Sequence, residues 1–136
     1  MKRIIIALAL LASVVAMPAS AKEWEFVVTT SSTNSKLFLW QSARKGKTAD
    51  SIQIYQRVEY GVKQDTGELS GIFLVEVDCH NKIYGELEMT TFDETNLRGK
   101  KYGPVSFSAL GIETSREWGS GAEASFLAYA CKKFYK

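Results

Sequence analysis

The chain of 136 residues contains one histidine, two cysteines and two prolines. A single histidine excludes sites built from several imidazoles, and it confines any Cys–His nucleophile pair to Cys79 and His80. There is no glycine-rich phosphate loop, no metalloprotease helix motif and no serine-nucleophile signature, so the commonest local marks of nucleotide, zinc-protease and hydrolase chemistry are missing. Beyond residue 16 no apolar run approaches the roughly 20 residues that cross a bilayer. There is no low-complexity tract and no internal repeat.

What is present begins with a leader. Met1-Lys2-Arg3 is followed by the apolar run Ile4 to Ala16 and then Met17-Pro18-Ala19-Ser20-Ala21. A basic start, a short apolar stretch and a small-x-small ending predict a secretory signal peptide over residues 1–21. The remaining 115 residues, 22–136, suffice for a single domain with one core. Residue 22 is lysine, whereas a lipid anchor would need cysteine there. The expectation is an exported protein with neither membrane span nor lipid anchor; the leader suits a bacterial envelope, in the periplasm or at the cell surface, and also fits a eukaryotic signal. Removing Lys2 and Arg3 leaves 15 basic and 15 acidic residues, which argues against nucleic acid or an anionic membrane as partner.

Two cysteines in an exported domain pair most simply with each other. The predicted bridge joins Cys79 to Cys131. Asp78-Cys79-His80 also contains the residue types of a thiol nucleophile or metal site. Neighbours on a strand point to opposite faces, however, so Asp78 and Cys79 do not readily converge. No catalytic residue, metal ligand or cofactor is expected.

Trp24 to Thr30 and Leu37 to Trp40, rich in aromatic and β-branched residues, read as strands separated by a Ser/Thr/Asn turn. Asp50 to Tyr60 alternates: Ile52, Ile54, Val58 and Tyr60 share one parity, interrupted by Gln56. Two further alternating runs, from Ser70 to Cys79 and from Lys82 to Phe92, form a hairpin about His80-Asn81. Apolar matching favours a three-residue loop, with Cys79 facing Ile83, Val77 facing Gly85, Val75 facing Leu87 and Phe73 facing Met89. That register sets Cys79 on the core face with Phe73, Val75, Val77, Leu87 and Met89. It also opposes Glu76 to Glu86, an unfavourable like-charge pair. A weaker strand is expected over Val105 to Glu113. Ser120-Gly-Ala-Glu123 is a capping box opening a helix to about Lys133. Its apolar stripe is Ala122, Phe126, Leu127, Ala130, Cys131 and Phe134.

The predicted fold is therefore α+β: an antiparallel sheet of about six strands, with one C-terminal helix tethered to one face by the disulfide. A helix on one face leaves the other uncovered. On the register above that outer face carries Ile72, Leu74, Tyr84 and Phe92, predicted to be buried by homodimerisation or by a protein partner. The loop bases Arg44, Lys45 and Lys47, and Arg98, Lys100 and Lys101, are secondary candidates for acidic partners. Tyr55, Tyr60, Tyr84 and Phe92 are candidates for an aromatic platform.

Trp24, the Ser51-Ile52 strand, the strand ending Asp78-Cys79, and Trp118-Gly119-Ser120 before a helix closing with Cys131 together give a pattern over nearly the whole 22–136 segment. It resembles the surface-adhesin protein E-like domain of Gram-negative bacteria. The resemblance implies an antiparallel sheet bridged to a C-terminal helix, and adhesion to host extracellular-matrix or serum proteins. It places no binding residue. The expected function is thus a non-enzymatic exported binding module of adhesin type. The alternative is a periplasmic protein or inhibitor that binds another envelope protein.

Overall fold

The computed structural model describes residues 23–136; the predicted leader over 1–21 lies outside the described residues. The strands are β1 (Trp24–Thr29), β2 (Lys36–Trp40), β3 (Arg44–Lys45), β4 (Ser51–Glu59), β5 (Ser70–Asp78), β6 (Ile83–Phe92), β7 (Lys101–Ser106) and β8 (Arg116–Glu117), followed by the helix α1 (Ala122–Phe134). They form one antiparallel sheet in the order β1-β2-β4-β5-β6-β7, with β3 also paired to β4 and β8 to β6.

The inner face follows the alternation of β4. Ile52, Ile54 and Val58 join Leu37, Leu39, Val75 and Val77 in one core, closed by Phe126, Leu127 and Ala130 of α1. Phe126, Leu127 and Ala130 are fully buried, as the predicted stripe requires. Fully burying a large aliphatic or aromatic side chain contributes roughly 1.5–3 kcal/mol, so Phe126 and Leu127 each help to hold the helix on the sheet. Cys79 is bonded to Cys131 with Cα atoms 5.9 Å apart. Further ties run from Lys133 Nζ to Glu25 Oε1 (2.6 Å), from the Tyr129 hydroxyl to Glu25, and from the Tyr135 hydroxyl to Asp50 Oδ1 (2.7 Å).

The central hairpin holds two registers at once. Far from the turn Phe73 faces Met89 and Leu74 faces Glu88, as apolar matching predicts. Nearer the turn Val75 faces Glu86, Glu76 faces Gly85 and Val77 faces Tyr84. Leu87 is the extra residue of a bulge between the two registers. The turn decides this. Asp78 Oδ1 accepts the backbone N–H groups of His80 (3.0 Å) and Asn81 (2.8 Å), and Lys82 N–H donates to the Asp78 carbonyl (2.9 Å). Lys82 is left-handed at φ 57°. These bonds fix Asp78 opposite Ile83 and leave Cys79 in the turn, not in a ladder position opposite Ile83.

Three expectations are corrected as a result. Tyr84 turns inward into the core and leaves the outer face. Leu87 goes outward, beside Glu76 and Ile83. The Glu76–Glu86 opposition does not arise, because Glu76 instead accepts from Gln53 Nε2 and Lys47 N–H, both at 2.8 Å.

Other departures are local. Arg44 and Lys45, expected in a loop, pair with Gln53 and Ile52. The strand expected from Val105 begins at Lys101 and ends at Ser106; its Pro104 is tolerated because β7 terminates the main strand order. The capping box does not form. The N-cap is Gly121, which has no side chain to make a cap bond, and the Glu123 carboxylate accepts from Gln56 Nε2 at 2.9 Å.

Candidate functional site

The helix covers the inner face of the sheet, and the outer face carries a rank of aromatic side chains. In β1 and β2 the inward positions are Glu25, Leu37 and Leu39, so Trp24, Phe26, Phe38 and Trp40 project outward. Cross-strand pairing sets them in two couples: Trp24 against Trp40 and Phe26 against Phe38. Both couples are edge-to-face, with ring centroids 4.9 Å and 5.6 Å apart. Such pairs are worth about 0.5–1.5 kcal/mol beyond the area they bury.

The rank continues across the sheet. Tyr55 of β4 and Ile72 of β5 join Trp24 and Trp40 around a shallow, almost wholly apolar depression of about 420 Å³. Two arginines bracket it. The Arg57 guanidinium lies 4.8 Å from the Phe38 ring centre, and that of Arg44 lies 5.8 Å from Tyr55. Arg57 is held in place by Glu59 (2.8 Å) and by the Asn96 side-chain carbonyl (3.2 Å). Phe26 is 51% exposed, although a large aromatic ring gains from leaving water.

Of the predicted interaction residues, Ile72, Leu74 and Phe92 share the outer side, while Tyr84 does not. Leu74 is only 5% exposed in the single chain, so it is already covered. Toward β6 the outer face is overlaid by the segment around Thr114 and Ser115. A side chain at Gly85 would meet Thr114 Oγ1 at 2.9 Å and the Ser115 backbone at 3.2 Å. The open part of the face is therefore at β1, β2 and β4. The platform expected from Tyr55, Tyr60, Tyr84 and Phe92 divides, since Tyr60 and Tyr84 pack on the inner side. The signal for the actual platform was the i, i+2 aromatic pairing in Trp24-Glu-Phe26 and Phe38-Leu-Trp40.

Arg98, Lys100 and Lys101 are exposed around the turn joining β6 and β7. Lys100 N–H donates to Asp93 Oδ1 at 2.8 Å, its ammonium lies 5.3 Å from the Tyr102 ring centre, and Lys101 pairs with Phe92. They shape that turn and stand apart from the aromatic rank, whose members lie on β1, β2, β4 and β5.

Asp78, Cys79 and His80 are drawn into structure. Asp78 is an acceptor for the turn, and the N–H of Asn81, followed by its side-chain amide, holds the carboxyl below its ordinary range. Cys79 has no thiolate to offer, being in the disulfide. Among the described residues no group of three or more His, Cys, Asp and Glu side chains is placed to hold a metal ion.

On the inner face, beyond the helix, a cavity of about 260 Å³ opens. Leu37, Val58 and Phe73 line it together with Gln56, Glu86, Glu123 and several neutral polar side chains. Glu86 is paired outside the cavity with Arg116 (Oε1–Nη1 3.1 Å, Oε2–Nη2 2.7 Å), whose guanidinium stacks 4.4 Å from the Tyr84 ring centre. Burial pushes the Glu123 carboxyl above its ordinary value, against the pull of the Gln56 bond. Burial likewise raises Tyr60 and Tyr84.

No helix among the described residues is long and apolar enough to cross a membrane. No protein-family model, curated protein or solved structure matches the chain.

Proposed function

We propose that this chain is an exported, non-enzymatic protein-binding domain whose recognition surface is the aromatic outer face of the sheet. The observation that carries the reading is the rank of Trp24, Phe26, Phe38, Trp40 and Tyr55, bracketed by Arg44 and Arg57 and left open beside Ile72. Aromatic residues and arginine are the types that concentrate in the cores of protein interfaces and supply most of their energy. Its side chains stand on paired strands and two couples pack edge to face, which limits the side-chain freedom left to lose on docking.

Export is supported by the predicted leader and by the Cys79–Cys131 bridge, a bond that persists in oxidising compartments. The resemblance to surface-adhesin protein E-like domains supports host extracellular-matrix or serum protein as the partner. Lys22 in place of an anchoring cysteine favours a second reading, a periplasmic domain or inhibitor that docks the same face onto an envelope protein.

Cell fractionation combined with retention on immobilised matrix and serum proteins separates the two. Adhesion requires surface or secreted protein that is retained, with retention lost in Phe26→Ser. Protein confined to the periplasm contradicts adhesion, and retention that ignores Phe26→Ser contradicts the surface.

A further inference from the structure

The inner-face cavity has a charge arrangement that the fold does not need. Glu86 has its counter-ion in Arg116. Among the described residues Glu123 makes no ion pair: the Arg116 charge acts on it only through space, Gln56, a neutral amide only 4% exposed, bonds one carboxylate oxygen, and Glu123 Oε1 takes no hydrogen bond. The lining of the cavity contains no lysine, arginine or histidine. An ionised carboxyl drawn out of water is costly unless it is paired. Glu123 could have closed the first turn of α1 with Ser120, but its carboxyl is turned into this cavity instead.

Leu37, Val58 and Phe73 are the apolar part of a lining whose other members are the two carboxyls and neutral polar side chains. At about 260 Å³ it lies just under the roughly 300–1,000 Å³ of sites for drug-sized ligands. That volume suits a group the size of one long side chain. Two carboxyls and no basic group exclude an anion. We propose that this cavity binds an organic cation, an ammonium or guanidinium group on a short aliphatic stem, with its charge on Glu123 and its stem along Leu37, Val58 and Phe73. The aromatic outer face takes no part, so the site is independent of the function proposed above.

The test is an amide-resolved NMR titration of the full chain with n-butylammonium chloride. 1-Butanol and sodium butyrate serve as neutral and anionic probes of the same stem length. Saturable shifts at Gln56, Val58 and Phe73 are expected with the ammonium and not with the other two. Glu123→Gln keeps a partner for Gln56 and removes the charge, and it is expected to weaken binding at least about tenfold. Glu123→Asp keeps the charge one methylene further away and is expected to fall between that variant and wild type. A blocked pentapeptide with a central lysine identifies the source of the cation: tighter binding than the free amine assigns it to a partner's side chain, weaker binding to a free amine. Failure of both cations to saturate, equal binding of butanol or butyrate, or unchanged affinity in Glu123→Gln would overturn the proposal.

Discussion

Removing the bridge between Cys79 and Cys131 is a perturbation whose size follows from the topology. The two residues are 52 apart in sequence. Closing a loop of that length restrains the unfolded chain by ~4 kcal/mol in the chain-entropy treatment. On the folded side the loss is small, since both cysteines lie at the margin of the core that Phe126 and Val77 fill. A domain of this size holds roughly 5–15 kcal/mol in total, so the double variant Cys79→Ala/Cys131→Ala loses a large share of it. Urea unfolding followed by tryptophan fluorescence measures the effect. With a slope of roughly 2 kcal/mol/M, the midpoint falls by ~2 M. The slope itself rises, because the unfolded chain without its cross-link exposes more surface. A loss below about 1 kcal/mol with an unchanged slope would refute the argument that the bridge acts through the unfolded state.

Further substitutions probe the remaining parts. Phe126→Ala empties a fully buried position and is expected to cost ~3–5 kcal/mol, read from the same urea titration. Leu74→Glu places a charge where the leucine is only 5% exposed. It is expected to lower stability by more than ~2 kcal/mol at every protein concentration, whereas a concentration-dependent loss would point to an intermolecular contact. Glu123→Gln tests the buried carboxyl. Burial raises its folded-state pKa, so the folded chain holds this proton more tightly than the unfolded chain does. Stability therefore declines as pH rises from the ordinary carboxyl range through the raised folded value, and stays lower above it. The glutamine variant should exceed wild type at about pH 8 and match it at about pH 3, as measured by paired urea titrations.

The hairpin illustrates which parts of this fold a sequence makes plain. Side-chain alternation identified the inward sets of β4 and β5, and the lone pair of cysteines located the helix against them. The register of β6 was legible only at the end far from the turn. Near Asp78, backbone N–H groups captured by its carboxylate outweigh the matching of Val75 with Leu87, and a bulge at Leu87 lets both patterns stand. That one residue carries Tyr84 inward and changes the composition of both faces. Glu123 misleads for a similar reason. Local spacing offers it a cap, but Gln56, which breaks the apolar parity of β4, waits across the core as a tertiary partner. The aromatic rank depends on the pairing of β1 with β2. Two short strands show their own parity in sequence, but not that their outward rings will meet.

The aromatic face is tested most directly by the affinity of the full chain for immobilised matrix or serum protein, compared between wild type and Trp40→Ala, with unfolding midpoints measured alongside. Truncating a central aromatic anchor typically removes 2 kcal/mol or more, about a thirtyfold loss in affinity. A loss of that order in Trp40→Ala, repeated in Phe26→Ser with the fold retained, is the predicted result. Wild-type affinity in both folded variants would contradict the assignment of binding to this face.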